Sequence, residues 1–367
     1  MSMTIQGSET TVDGAAKRRT VLVTGGAGYI GSHAVLALRD AGWPVVVIDN
    51  LSTGFRWAVP DDVSFVEGDV GDSPLVAKII LDHDVQAVMH FAGSIIVPES
   101  VQNPLKYYAN NTTQSRSLIE TALTTNVAHF LFSSTAAVYG NPQTPLVDET
   151  SVLKPINPYG MSKLMTEVML RDVSAAHPMN YCALRYFNVA GADPQCRTGQ
   201  ATLGATHLIK VAVEAALGKR EQVAVFGTDF DTRDGTGIRD YIHVSDLALA
   251  HVHALEKLVS APTLNHVLNC GYGRGFSVLE VLDAVDRLAG LTVDRKLEGR
   301  RPGDPAVLVA QIEQIRTTLP WKPRYDDLDT IVQHALAWER HLSGRSTPRS
   351  LASSGSEKAR EEVFRHA

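Results

Sequence analysis

The chain has 367 residues, of which 44% are apolar and 20% charged, a globular composition that argues against wholesale disorder. Its 34 basic and 40 acidic side chains leave a net charge of −6, so no global positive field draws phosphates, which argues against a dedicated nucleic-acid binder. Three cysteines (Cys182, Cys196, Cys270) stand far apart without zinc spacing, and no apolar run reaches membrane-spanning length.

Residues 1–19 are polar and lack the apolar stretch of a signal peptide, so they are expected to form a disordered extension. Thr20 to Thr24 is a short β-rich run that stops at Gly25-Gly26-Ala27-Gly28-Tyr29-Ile30-Gly31, and a helical pattern follows to about Gly42. Val45 to Ile48 is a second strand ending at Asp49, and Val63 to Val66 a third ending before Gly68-Asp69. Ala87 to Phe91 is a fourth ending at Ala92-Gly93, His129 to Phe132 a fifth ending at Ser133-Ser134-Thr135, and Tyr181 to Arg185 a sixth. Apolar strands of this length alternating with helices predict a parallel sheet covered on both faces. Ligands of such sheets bind at the carboxyl ends of the strands, where all these polar and glycine features lie.

After Tyr186 the rhythm loosens. Shorter strands (Val223 to Phe226, Val267 to Asn269, Val293 to Leu297) stand among helical stretches at Leu203 to Leu217, Val244 to Leu258, Val278 to Leu288 and Leu328 to His341. The expected organisation is a doubly wound α/β domain over residues 20–185, a smaller α+β substrate domain over 186–342 that closes over its crevice, and a polar tail over 343–367.

The glycine motif follows a predicted strand and opens a predicted helix, the context a dinucleotide site requires. Gly25 allows the tight turn, Gly28 lets backbone approach a pyrophosphate, and Gly31 lets helix pack on strand, with the helix N-terminus facing the phosphates. Asp49 can accept both ribose hydroxyls and repel a 2′-phosphate, which favours NAD over NADP, although Arg56 stands close enough in sequence to reach a phosphate. Asp69 can accept the adenine amino group or form a turn; both readings stand. Phe91-Ala92-Gly93 offers small residues where a flat cofactor lies against backbone.

Tyr159-Gly160-Met161-Ser162-Lys163 puts a phenol and an ammonium at i and i+4 on one helix face, after a helix start at Asn157-Pro158. A phenol is a poor base at neutral pH, but a neighbouring cation, Lys163 or an oxidised nicotinamide, favours the phenolate, and the pair can then exchange a proton with an alcohol. Thr135 supplies a hydroxyl for the same substrate oxygen. His251-Val252-His253 reads as core or solvated surface rather than as a metal site, because i and i+2 point to different helix faces.

The Gly-x-x-Gly-x-x-Gly spacing resembles the extended short-chain dehydrogenase/reductases, with a Rossmann-type sheet. Val21 to His33, Phe91 to Gly93 with Glu99-Ser100-Val101, Phe132 to Gly140, Pro158 to Glu167, Arg185 to Ala192 and Arg239 to Leu247 resemble the UDP-glucose 4-epimerase family. The likeness covers roughly Thr20 to Leu342. It implies a cytoplasmic homodimer in which bound NAD oxidises the C4 hydroxyl of a UDP-sugar and returns the hydride to the opposite face. Tyr159 is then the acid/base, Lys163 its tuner and ribose ligand, and Thr135 the group that orients the 4-hydroxyl. The implied cofactor set is Gly25, Gly28, Tyr29, Ile30, Gly31, Asp49, Asn50, Asp69, Val70, Phe91, Ala92, Gly93, Asn110, Ser133 and Tyr186, with Tyr159 and Lys163. The implied substrate set is Asn188, Thr206, His207, Leu208, Ala224, Phe226, Arg239, Tyr241, Arg301, Asp304 and Leu308, with Thr135; the two arginines hold the diphosphate and Phe226 lines the uracil slot.

The sequence departs from the family at three places. Ser94-Ile95 replaces a Leu-Lys pair whose lysine contacts the cofactor, so NAD is held more weakly or by other groups. His207 stands where Asn is common, and Leu308 falls at the sugar-pocket gatekeeper, leaving N-acetylated sugars open as substrates. Ala136-Ala137 lacks the Asp-Glu pair of a nucleotide-sugar dehydratase. A decarboxylating relative and a non-catalytic NAD-sensing protein are the remaining alternatives, and the latter has no need of Thr135, Tyr159 and Lys163 together.

Overall fold

The computed structural model describes residues 18–261, 265–301 and 303–344. Its strands are β1 (Thr20–Thr24), β2 (Val45–Asp49), β3 (Ser64–Glu67), β4 (Val85–His90), β5 (His129–Thr135), β6 (Leu146–Val147), β7 (Asn180–Tyr186) and β8 (Asn188–Ala190). Then come β9 (Val223–Phe226), β10 (Ile238–Arg239), β11 (Tyr241–His243), β12 (His266–Cys270), β13 (Phe276–Ser277), β14 (Arg295–Glu298) and β15 (Val307–Ala310). The helices are α1 (Tyr29–Asp40), α2 (Ser73–Asp82), α3 (Val97–Gln102), α4 (Pro104–Tyr107), α5 (Gln114–Thr124) and α6 (Pro158–Ala176). They continue with α7 (Leu208–Ala216), α8 (Val244–Ser260), α9 (Val278–Ala289), α10 (Glu313–Thr318) and α11 (Leu328–Gly344).

Seven strands form one sheet in the order β12-β7-β5-β4-β1-β2-β3, and every pairing in it is parallel. The period-2 rule sorts its side chains onto two faces. Val21, Val23, Val47, Met89 and Leu131 enter one buried cluster, while Leu22, Val46, Ile48, Val88 and Phe130 enter another. A sheet covered on both faces buries β-branched runs such as Val45-Val46-Val47-Ile48, which is why those strands read as continuous apolar stretches. Strand order reverses between β1 and β4. Their carboxyl ends therefore flank the crevice in which this architecture takes ligands.

The smaller part holds a four-stranded sheet, β13-β10-β15-β6, and two strand pairs, β11-β8 and β14-β9. The chain passes between the two parts more than once. β6 comes from the amino-terminal stretch yet joins the small sheet, and β12 lies far along the chain yet extends the large one beside β7. α8 is the crossover that returns the chain to that edge, and it packs against α1. The helix read from Leu203 begins at Leu208, because the residues before it form a loop with Gly204 at φ +66°. The strand read from Val293 is the later β14, and the third strand runs one residue beyond its expected span.

Of the two expected terminal segments, 1–17 and 345–367 lie outside the described residues. Arg18 and Arg19 are ordered: Arg19 pairs with Asp84, and the Arg18 guanidinium lies 4.8 Å over the Trp43 ring. Ser343 and Gly344 end α11 rather than opening a tail. No helix among the described residues is long and apolar enough to cross a membrane.

Candidate active site

The turn after β1 is shaped by contacts a side chain would destroy. Gly25 has φ +69°, and a Cβ there would lie 2.6 Å from the Ala92 nitrogen; a Cβ on Gly31 would lie 2.1 Å from the Gly25 oxygen. These glycines bring β1, β4 and α1 together at the switch point. A Cβ on Gly28 would meet only the Gly25 oxygen, at 3.3 Å, so the turn stays open on that side. α1 starts at Gly28 with no side-chain cap and no acidic residue in its first turn. Free N–H groups and the positive end of the helix dipole suit a phosphate, and that fit carries the dinucleotide reading.

Asp49 is buried at the end of β2, where its carboxylate accepts from the Ala27 N–H at 2.9 Å and the Leu51 N–H at 2.8 Å. Burial raises its pKa, and the two amides oppose that. It is held at the turn with oxygen lone pairs left for ribose hydroxyls. Asp69 accepts from Gly71 N–H at 2.8 Å and from Asn50 Nδ2 at 3.3 Å, so it does form the turn. Val70 is buried behind it. Arg56 bonds to the Val59 carbonyl and covers Phe65, an engagement that holds it away from the role of phosphate ligand. The Tyr29 phenol donates to the Gly191 carbonyl at 2.7 Å, so of Tyr29 only the backbone N–H, next to that of Ile30, is available to a phosphate.

Thr135 closes β5 and Tyr159 opens α6, which Asn157 caps by accepting from Gly160 N–H at 2.8 Å with Pro158 in its first turn. Thr135 lies close enough to the Tyr159 phenol to favour its ionised form. Lys163 is 3% exposed; its Nζ donates to the Ser133 carbonyl at 3.0 Å and lies 5.0 Å over the Phe132 ring. Ser133 Oγ in turn meets the Tyr186 hydroxyl. Burial pulls the Lys163 ammonium down to about 8 and pushes the Tyr159 phenol up, with Thr135 the opposing influence. The expected neighbouring cation is Lys163 or an oxidised nicotinamide, and in this structure Lys163 does not by itself favour the phenolate. Its charge is spent on the Ser133 carbonyl, and desolvation of the phenol wins.

Gly93 follows directly after Phe91 and Ala92, and a Cβ on it would lie 3.0 Å from Asn111 Oδ1 and 3.6 Å from Lys163 Nζ. Asn110 donates to Ser94 Oγ at 2.9 Å. Asn111, which the sequence reading passed over, is buried and holds Ser94 at both backbone groups: the Ser94 N–H donates to Oδ1 at 2.7 Å, and Nδ2 donates to the Ser94 carbonyl at 2.9 Å. The same Nδ2 reaches Ser162 Oγ at 3.1 Å. The Ser94 loop is thus fixed by two adjacent asparagines. Asn110 belongs to the implied cofactor set, whereas Asn111 carried no signal beyond its place beside it.

Asn188, Ala224, Phe226, Arg239, Tyr241 and Leu308 fall on the small sheet and the two strand pairs, and Arg301 and Asp304 lie between β14 and β15. Arg301 stacks on Phe226 with its guanidinium carbon 3.6 Å from the ring centroid, and Arg239 donates to Asp304 at 3.2 Å. Ala224 and Phe226 share one face of β9. Asn188 pairs with Tyr241 across β8 and β11, and Leu308 sits opposite Arg239 across β10 and β15. Leu308 is buried with Ala136 and Phe187, which joins this region to the end of β5. Thr206 is exposed, His207 contacts the Gln200 amide at 2.8 Å, and Leu208 opens α7.

A buried network missed from the sequence supports the catalytic helix. Arg185 donates to both Glu167 oxygens, at 3.0, 3.3 and 2.7 Å, Ser134 Oγ donates to the same carboxylate, and Arg185 also reaches the Tyr139 hydroxyl at 3.1 Å. His251 is buried against Phe91, 4.8 Å between centroids, which gives it a core role.

Residues 21–271 match the NAD dependent epimerase/dehydratase family. The UDP-glucose 4-epimerase of Azospirillum brasilense is 57% identical over 330 residues, covering 90% of this chain and 94% of that protein. The UDP-glucose 4-epimerase of Brucella ovis, solved in complex with NAD, is 44% identical with a TM-score of 0.84, covering 87% of this chain and 98% of that one. The UDP-Glc/GlcNAc 4-epimerase of Campylobacter jejuni is 49% identical with a TM-score of 0.78, covering 88% and 99%.

Proposed function

The chain belongs to the NAD-dependent epimerase/dehydratase family, and from its likeness to the UDP-glucose 4-epimerases we propose that it interconverts UDP-galactose and UDP-glucose by reversible hydride transfer between sugar C4 and bound NAD, through a 4-keto sugar. The observation that carries this reading is the uncapped glycine turn into α1 together with buried Lys163, one helical turn from Tyr159 and bonded to the Ser133 carbonyl two residues before Thr135.

Tyr159 takes the proton of the C4 hydroxyl and later returns it, while Thr135 holds that hydroxyl in line. Because burial makes the phenol a weaker acid, Tyr159 needs added positive charge nearby before it can act as base; the oxidised nicotinamide supplies that charge when bound. Lys163, fixed by the Ser133 carbonyl, orients the nicotinamide ribose. Asp49 holds the adenosine ribose, and the N–H groups of the first turn of α1 hold the pyrophosphate. Arg239 and Arg301 bind the UDP diphosphate, which stays anchored while the hexose turns over. Phe226 takes the uracil face and Asp304 the uridine ribose.

The test is turnover of UDP-galactose by purified protein without added cofactor, following UDP-glucose and net NADH. Conversion without net NADH is expected. NADH accumulating in step with sugar consumed overturns the reading in favour of a dehydrogenase or decarboxylase. UDP-N-acetylglucosamine belongs in the same assay, since the similar Campylobacter enzyme is named for both sugars and Leu308 is smaller than a tyrosine.

The chain works as a homodimer in the cytoplasm. Val101 and Leu105 are 61% and 77% exposed, and α3 and α4 pack against α6, where Met165 and Val168 are also exposed, making one apolar face across three helices. Sedimentation velocity should find a dimer that L105D converts to monomer. The three free cysteines suit a reducing compartment.

A further inference from the structure

Beneath the crevice, a line of buried polar groups joins the cofactor turn to the catalytic helix. His90, the last residue of β4, is buried with its ring 6.0 Å from Phe130 and 5.9 Å from Phe132. Its Nδ1 lies 2.7 Å from Thr24 Oγ1 and its Nε2 lies 2.8 Å from Ser115 Oγ. The contacts fix the direction of each bond. Ser115 gives its single hydroxyl proton to the Asn111 carbonyl at 2.6 Å, so its oxygen accepts from His90 Nε2–H. Burial holds the imidazole neutral, down at about 3, so Nδ1 carries no proton and accepts from the Thr24 hydroxyl. Thr24 Oγ1 in turn accepts the Ala92 N–H at 3.4 Å. Every donor along the line, from Ala92 through Thr24, His90 and Ser115 to the Asn111 carbonyl, points the same way.

Both ends of the line lie at the site. The Ala92 backbone is the surface against which Gly25 packs. Asn111 sits in a single turn of π-helix, Tyr108–Thr113, between α4 and α5, and its carbonyl also accepts from Thr166 Oγ1 of α6 at 3.2 Å. Single π turns recur at functional sites because they present a carbonyl and a side chain that a regular helix would turn away. Asn111 lies within this turn, and its amide fixes Ser94 and reaches Ser162, the neighbour of Lys163.

We propose that His90 is a positioning residue for the C4 oxidation: as a fixed Nε2–H tautomer it sets the spacing between the Ala92–Gly93 backbone and Asn111, and through Asn111 the Ser162–Lys163 turn of α6. The inference takes its substrate from the epimerase reading, but the arrangement itself holds for any alcohol oxidised at this site. A residue acting this way touches neither sugar nor uridine diphosphate. Its loss misaligns the reacting groups and loosens the cofactor, while the UDP handle is left alone.

H90F keeps a flat ring between the two phenylalanines and removes both nitrogen contacts; H90Q keeps an acceptor and a donor on one side chain. The variants are compared with the parent in kcat and KM for UDP-galactose at saturating NAD, and in NAD affinity by titration calorimetry. H90F is expected to lose about tenfold or more in kcat and several-fold in NAD affinity, with KM for UDP-galactose within twofold, and H90Q to recover most of both. An H90F enzyme with parental kcat and NAD affinity overturns the proposal. So does one whose kcat and KM for UDP-galactose worsen together without rescue by H90Q, the mark of a merely structural role. Should H90F fail to fold, T24V and S115A each break one end of the line, and the proposal requires both to lower kcat at unchanged KM. A parent protein that turns over no UDP-galactose speaks against the epimerase reading alone, and the NAD affinities still decide the role of His90.

Discussion

Around the glycine turn and the loop after β4, most polar groups are already engaged within the protein: Asp49 by two amides, Ser94 by two asparagines, Lys163 by the Ser133 carbonyl. The region proposed for the nucleotide sugar is built in another way. Arg301 and Asp304 are exposed, one resting on the Phe226 ring and the other on a single 3.2 Å bond from Arg239. The first region resists rearrangement, because each group that moved would leave a buried partner unsatisfied. The second exchanges partners at little cost, since exposed ion pairs contribute about 0–1 kcal/mol. Under the proposed function, in which the sugar turns over while the cofactor stays, the rigid half would hold the cofactor and the adaptable half the nucleotide.

Substitutions should separate the halves by which constant they change. The largest effect is expected at Tyr159, between them. Y159F should lower kcat by about a thousandfold, within the range of general acid–base catalysis, with KM for UDP-galactose within twofold. Steady-state kinetics decides it, and comparable losses in both constants would move Tyr159 into the binding machinery.

Next comes the support of the rigid half. E167Q leaves the buried Arg185 guanidinium without its counter-charge, which should cost about 3–5 kcal/mol of stability. A melting temperature about 10 °C lower is expected, and one within 2 °C of the parent (roughly 1 kcal/mol or less) would show that the pair is not under tension.

Acid should weaken the rigid half through its histidines. His33 and His251 are held down to about 4 and His90 to about 3, all by burial, against an unfolded value of 6.5. A depressed folded pKa means the unfolded chain binds the proton first, so stability is fully present above about pH 6.5 and is lost as pH falls toward the folded values. By pH 5.5 each such histidine costs about 1.4 kcal/mol. Thermal melts from pH 7.5 to 5 should show a steady fall, which H90Q makes shallower; a flat profile would contradict the burial of these rings.

The smallest effect belongs to the adaptable half. R301A should raise KM for UDP-galactose about 10- to 100-fold, one charge-assisted contact being worth about 1.5–3 kcal/mol, with kcat changed less than threefold. A kcat loss matching that of Y159F would erase the distinction between the halves.

Much of the candidate site could be proposed from the sequence because its signals are local. A glycine turn between strand and helix, an acidic residue at the end of β2, and Tyr and Lys one helical turn apart are set by φ/ψ limits, strand ends and helix periodicity, each within a few residues. The same sequence could not give what depends on partners far along the chain. Tertiary packing returned β12 to the large sheet, turned the Tyr29 phenol to Gly191, and paired Glu167 with Arg185. It also decided the electrostatics: the phenol of Tyr159 is raised rather than lowered because burial and the direction of Lys163 outweigh their closeness in sequence. Sequence spacing fixes which groups can meet, whereas desolvation and the choice among competing partners are properties of the assembled core.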